Sequence, residues 1–194
     1  SIYILSILFI GNAIFSQESF SPENISKAAI ELTKDKVIYD GSYFSIPYPN
    51  GDVPDGIGVC TDVIIRTYRL LGLDLQKEIH EDMKNNFDRY PKKWGLKKPD
   101  KNIDHRRVPN QMTYFERQGS SLVITNESEN YLPGDIVAWD LGGGTTHIGV
   151  VVNVKSPDSD NYMIVHNIGA GQNIDDCLFD FEIIGHYRFL RNIN

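Results

Sequence analysis

The chain has 194 residues, 41% hydrophobic and 23% charged, a composition that excludes a disordered or coiled-coil polypeptide and suits one ordinary globular domain. Two cysteines are too few for a disulfide scaffold, and a formal net charge of −7 excludes a general nucleic-acid binder, because phosphate recognition needs an excess of cations. The charge is uneven: from Arg89 to Arg107 there are eight basic residues against two acidic ones, so this stretch carries +6 and the remainder −13, which suggests local recognition of an anion.

Residues Ile2 to Ile10 are apolar apart from Ser6, no charge precedes Glu18, and Gly11, Asn12, Ala13 and Ser16 follow. The run is shorter than the roughly 20 apolar residues of a membrane span and reads as the remnant of a secretory signal over residues 1–16, ahead of a single domain over 20–194. A short buried helix or strand is the alternative. A signal there makes the mature protein secreted or periplasmic, with no stable membrane insertion once the signal is removed. An oxidising compartment would also permit a Cys60–Cys177 disulfide.

Ser21 and Pro22 form an N-cap and first helical residue, and Ile25, Ala28, Ala29 and Leu32 recur at helical spacing. Val37 to Tyr39 is a short extended run ending at the Asp40-Gly41 turn signal, and a Pro- and Gly-rich loop from Tyr43 to Gly58 delivers the chain to Cys60. Val63, Ile64, Thr67, Leu70 and Leu71 predict a helix beginning at Cys60 and stopped by Gly72. A second helix, capped by Asp74, carries Leu75, Ile79, Met83 and Phe87. The basic loop with Pro91, Pro99 and Pro109 comes next, and a further helix runs from Val108 to Gln118, ending at Gly119.

After Gly119 the pattern changes to β-branched runs at Leu122 to Thr125, Ile136 to Trp139, His147 to Val154, Tyr162 to Asn167 and Ile183 to Leu190, separated by turn signals such as Pro133-Gly134-Asp135 and Gly142-Gly143-Gly144. Helices followed by strands predict an α+β fold with N-terminal helices on a mostly antiparallel sheet.

A cysteine at a helix N-terminus meets the positive end of the helix dipole and unpaired N–H groups, which favour thiolate over thiol. Cys60 has that placement. A neutral imidazole can take its proton, and the same N–H groups can stabilise an oxyanion formed when sulfur attacks a carbonyl. His147 and His166 lie on predicted strands that antiparallel pairing could bring side by side, one as base and one as its orienting partner. A structural role is the ordinary reading of each residue alone; the order of loop, Cys, helix, Pro-Gly-Asp turn, strand and His is what points to nucleophilic catalysis.

At these residues a family resemblance appears. Gly58-Val59-Cys60-Thr61-Asp62-Val63-Ile64, Leu132-Pro133-Gly134-Asp135-Ile136-Val137-Ala138-Trp139, His147-Ile148-Gly149-Val150-Val151-Val152 and Ile164-Val165-His166 resemble the successive motifs of NlpC/p60 cysteine peptidases, papain-like enzymes of bacterial cell-wall turnover. In detail, Asn102-Ile103-Asp104-His105-Arg106-Arg107-Val108-Pro109-Asn110 and His166-Asn167-Ile168-Gly169-Ala170-Gly171 look closer to a bacterial family of secreted proteins described as domain of unknown function DUF1287, over about Ala28 to Arg188. The resemblance implies a papain-like NlpC/p60-type fold, Cys60 as nucleophile, His147 as base, His166 as orienting third member, and Tyr48 lining the site as an oxyanion donor.

The sequence departs from the NlpC pattern where Val59 replaces the Asp that precedes the nucleophile, and Thr61-Asp62 replace Ser-Gly. Asp62 or Asp55 would then be candidates for recognising a stem-peptide amine, with helix capping the alternative role of Asp62. Arg106 and Arg107 are candidates for bidentate binding of stem-peptide carboxylates, with a solvated basic face as the alternative, and His105 is a further polar group for the cleft. His80 and His186 read as structural. The expectation is a monomeric hydrolase of peptidoglycan or its stem peptides, an endopeptidase ahead of an N-acetylmuramoyl-L-alanine amidase, with no cofactor, metal or nucleic-acid partner. Acyl transfer at the same Cys-His site, or a non-catalytic wall-binding module with a disulfide, are the alternatives. A zinc site has no supporting HxxxH, HExxH or CxxC spacing.

Overall fold

The computed structural model describes residues 20–191; the proposed signal remnant lies outside them. Helix α1 (Pro22–Leu32) starts where Ser21 Oγ accepts the Asn24 amide, with Pro22 in the first turn, and buries Ile25, Ala28, Ala29 and Leu32. Strands β1 (Ile38–Tyr39) and β2 (Ile57–Gly58) form a parallel two-stranded ribbon with Tyr39 opposite Gly58. The chain then enters α2 (Cys60–Leu70), whose Val63, Ile64, Thr67 and Tyr68 are fully buried. Helix α3 (Leu75–Asn86) is capped by the Asp74 carboxylate, and α4 (Val108–Arg117) follows the basic loop. No helix among the described residues is long and apolar enough to cross a membrane.

The sheet is built from β3 (Ile136–Asp140), β4 (Thr146–Lys155), β5 (Tyr162–His166), β6 (Asn173–Asp175) and β7 (Glu182–Tyr187), in the antiparallel order β6-β5-β4-β3-β7. Alternation along the strands separates two apolar layers. Ile136, Ala138, Ile148, Val150, Val152 and Val165 face the helices, whereas Val137, Trp139, Val151 and Ile164 pack with Tyr131, Cys177 and Leu178 on the other side. Each such large apolar side chain contributes about 1.5–3 kcal/mol by leaving water, so the central strands anchor the fold.

Asp135 ties the turn before β3 to the end of β7. Fully buried, it accepts from the Leu132 amide, His186 Nε2 and the Arg188 guanidinium. Gly134 beside it has φ +91°, and a Cβ there would lie 2.7 Å from Pro22 Cα, so the turn docks on the start of α1 only as glycine.

The expected strand at Leu122 to Thr125 does not form. Ser121 bridges to Tyr187 and the Leu122 amide bonds the His186 carbonyl, but the Tyr131 hydroxyl then donates to the Thr125 carbonyl and draws the segment off the sheet edge. The short edge strand β6, absent from the predicted strands, closes the opposite edge.

Candidate active site

Cys60 is the first residue of α2 and is buried. Val59 cannot cap the helix with its side chain, so Asp62 reaches back instead, its Oδ2 accepting the Val59 amide at 2.7 Å. The backbone N–H groups of Ile148, Thr61 and Cys60 itself address the sulfur and favour its thiolate. Burial outweighs them, and with the added charge of Asp62 pushes the Cys60 thiol up to about 12. The helix N-terminus therefore does not by itself give the depressed thiol that its position predicts.

The residue before Ile148 in β4 is His147, so its backbone lies next to the amide that addresses Cys60. His147 is buried, and desolvation, reinforced by His166, lowers its imidazole to about 3. At neutral pH the site thus rests as thiol and neutral imidazole, and His147 holds a lone pair able to take a proton.

The second imidazole comes from the end of β5. His147 Nε2 and His166 Nδ1 are 2.8 Å apart, with the rings edge to face at 5.0 Å. Gly149 permits this approach: a Cβ there would lie 2.6 Å from Ile164 Cγ2 and 3.1 Å from His166 Cβ. Trp139, in register with His147 on the adjacent strand, stacks on its ring at 5.7 Å and holds its plane. The far nitrogen of His166, Nε2, meets Asp175 Oδ2 at 2.9 Å and Cys177 Sγ at 3.7 Å. Cys60 and Cys177 are both free thiols, so no disulfide joins them.

Other expected site residues sit elsewhere, for reasons of packing. Arg106 and Asp62 are bound to each other: Nε lies 3.0 Å from Asp62 Oδ1 and Nη2 3.0 Å from Oδ2, with both side chains almost wholly buried. Arg106 Nη1 and Nη2 also donate to the carbonyls of Ser42 and Asp40. These two residues brace α2 against the β1–β2 loop, and neither offers a free charge to a substrate. Asp62 takes its capping role. Tyr48 packs on α3, its ring edge-on to His80 and its hydroxyl 3.5 Å from Glu81, rather than beside Cys60. His105 is enclosed, its imidazole lowered to about 3 by burial and by Arg106 and Arg69. Arg107 is half-buried, its guanidinium 4.1 Å over the Trp94 ring.

Tyr39 rather than Tyr48 lies near Cys60. Burial, then the neighbouring Cys60 and Asp62, raise its phenol above the usual value against the pull of Arg106, while the residue stays 45% exposed. Its parallel register with Gly58, two residues before Cys60, puts it there. Asp175 carries no signal in the sequence, because its link to His166 arises from strand pairing and no spacing marks it. A groove of about 400 Å³ lies between Lys36, Val37 and Ile38 on one wall and Gly169, Gly171 and Asn173 on the other, and Cys60, His147 and His166 do not line it. Among the described residues no group of three or more His, Cys, Asp or Glu is arranged to hold a metal ion.

A protein of Escherichia coli (strain K12), "Uncharacterized protein YijF", is 46% identical over 165 residues, spanning 85% of this chain and 80% of the relative. Among solved structures, a Staphylococcus aureus subsp. aureus Mu50 protein described as similar to lipoprotein, NLP/P60 family, aligns over 92% of this chain with a TM-score of 0.42 and 16% identity. Only 45% of that protein is covered, so this chain spans less than half its length. The family model described as "Domain of unknown function (DUF1287)" matches residues 26–189, and the chain belongs to that family.

Proposed function

We propose that this protein is a secreted or periplasmic cysteine hydrolase that cleaves an amide bond of peptidoglycan, acting as a monomer through a thioester intermediate. The observation that carries the chemistry is Cys60 at the start of α2, where the backbone amides of Ile148 and Thr61 favour its thiolate, together with the His147–His166 pair at 2.8 Å. The wall substrate comes from the motif resemblance to NlpC/p60 peptidases. An endopeptidase acting on the stem peptide is favoured over an N-acetylmuramoyl-L-alanine amidase.

In this reading His147 removes the Cys60 proton as sulfur attacks the substrate carbonyl, because the two groups rest neutral rather than as an ion pair. The carbonyl oxygen takes up the negative charge within reach of the N–H groups around Cys60, with the Tyr39 hydroxyl as a further donor. Collapse transfers the proton from His147 to the leaving amine and leaves a thioester. Water, deprotonated by His147, then attacks the thioester, releasing the acid and restoring the thiol.

The test is mass spectrometry of soluble fragments released from purified peptidoglycan, with Cys60→Ala alongside. Wild type should release fragments and the variant lose at least about a thousandfold of the rate, the loss expected when a nucleophile is removed. The fragment masses name the bond and separate endopeptidase from amidase. Release by both proteins, or by neither across several wall chemistries, overturns the reading.

A further inference from the structure

His166 Nε2 has two neighbours of different character, and which one it serves decides what His147 can do. If Nε2 carries the proton and donates to Asp175, then His166 Nδ1 is an acceptor, His147 Nε2–H donates to it, and His147 Nδ1 is left with its lone pair. If instead Nε2 accepts from the Cys177 thiol, His166 Nδ1 carries the proton and His147 Nε2 must accept. The proton of neutral His147 then sits on Nδ1, and the ring has no free lone pair for Cys60. The two arrangements use the same atoms and the same distances, 2.8 Å between the rings, 2.9 Å to Asp175 and 3.7 Å to Cys177. They differ only in the direction of every hydrogen bond.

We propose that Asp175 is a positioning residue that selects the productive tautomer of both imidazoles, leaving His147 Nδ1 as the basic nitrogen that takes the Cys60 proton. An ionised carboxylate only accepts, so at 2.9 Å it requires the proton on His166 Nε2, whereas a thiol at 3.7 Å is the weaker partner. Strand pairing makes the contact. Asp175 lies opposite Ile164 on the edge strand β6, diagonal to His166 on the same face of the sheet, within reach of its far nitrogen. As His147 becomes an imidazolium, the lone pair on His166 Nδ1 accepts its Nε2–H, and the Asp175 carboxylate stabilises the charge from beyond. The inference rests on the reading of His147 as the base of a Cys60 hydrolase.

The test separates the two. Nitrogen-15 NMR of histidine-labelled protein, assigned with His147→Gln and His166→Gln, reads the tautomers without any substrate. Wild type should carry the His147 proton on Nε2 and leave Nδ1 bare. Asp175→Ala should shift population toward the Nδ1–H form, while Asp175→Asn, which keeps an acceptor oxygen but no charge, and Asp175→Glu should hold more of the wild-type tautomer. Cys177→Ala should leave it where it was. In wall hydrolysis Asp175→Ala should lower kcat about tenfold to a hundredfold with KM little changed, and Asp175→Glu should recover part of the loss. A wild-type His147 protonated on Nδ1, or a tautomer unmoved in Asp175→Ala, overturns the proposal. So does a shift in Cys177→Ala as large as that in Asp175→Ala. If wild type releases no wall fragments, the function fails, yet the tautomer measurement still decides the role of Asp175.

Discussion

Two polar regions, one holding α2 to the β1–β2 loop and one on the strands β4, β5 and β6, are built on opposite plans. In the first, Arg106 and Asp62 are sealed from water and bound to each other, and nearby Arg66 and Arg69 both close on Asp52. In the second, the His147–His166–Asp175 series runs from a buried ring to a carboxylate whose side chain is 52% exposed, and its bond directions depend on where protons sit. The first region has charge but no freedom, so it can only hold shape. The second has little formal charge but several proton positions, and that is what acid–base chemistry requires. Charge in a sequence therefore indicates recognition only where burial and saturation have not already consumed it.

The largest effect should come from breaking the sealed pair. Arg106→Ala leaves Asp62 buried without its cation and removes donors from the Asp40 and Ser42 carbonyls, a change expected to cost about 3–5 kcal/mol. Thermal melts should fall by roughly 10 °C or more. Asp175→Ala, by contrast, should melt within a few degrees of wild type, since its carboxylate already meets water. A melting point unchanged in Arg106→Ala would mean the basic motif is not structural, and would return Arg106 to the list of substrate ligands.

Why the basic motif reads as recognition in the sequence follows from this pair. Asp62 and Arg106 are 44 residues apart, and nothing local records that they meet. The helix starting at Cys60 was readable because Val63, Ile64 and Thr67 repeat at its period and Gly72 ends it. The strands bearing His147 and His166 were readable from their β-branched runs. The edge strand with Asp175 was not, because three residues carry too little pattern and its place depends on pairing with β5. Tyr48 illustrates the same limit. Its spacing from Cys60 matches a family pattern, but its ring packs on α3, while Tyr39 reaches the site through a two-residue parallel pairing.

A middle-sized effect appears in the pH dependence of stability, and it draws on both regions. His105 in the sealed region and His147 in the open one are both lowered by burial to about 3. Unfolded imidazoles bind protons near 6.5, so on acidification the unfolded state gains protons first, and stability should fall from about pH 6.5 toward pH 3. Asp104 acts in the other direction. Burial raises its carboxyl to about 6, so the folded state takes up that proton before the unfolded chain does, and stability gains as pH falls from about 6 toward 4. Asp104→Asn should remove the gain, on the order of 2 kcal/mol, making the acid loss steeper and raising stability at pH 7. Denaturant titrations at pH 7, 5.5 and 4.5 measure both slopes. A variant no more stable than wild type at pH 7 would remove Asp104 from the account.

The smallest expected effect sharpens the comparison at the nucleophile itself. Tyr39 is half exposed, and its register with Gly58 places its backbone two residues from Cys60. Tyr48 donates only to Glu81 on α3. Tyr39→Phe should lower kcat for wall hydrolysis up to about tenfold, less than the full loss of a buried oxyanion donor because water can partly replace a hydroxyl at an exposed position. Tyr48→Phe should leave kcat within about twofold, since the removed bond is a long one to a solvent-facing carboxylate. Fragment release measured at saturating peptidoglycan distinguishes them. The reverse ranking would show that the loop carrying Tyr48 moves over Cys60 when the polymer binds, and would make the spacing from Cys60 a better guide to the site than the resting geometry.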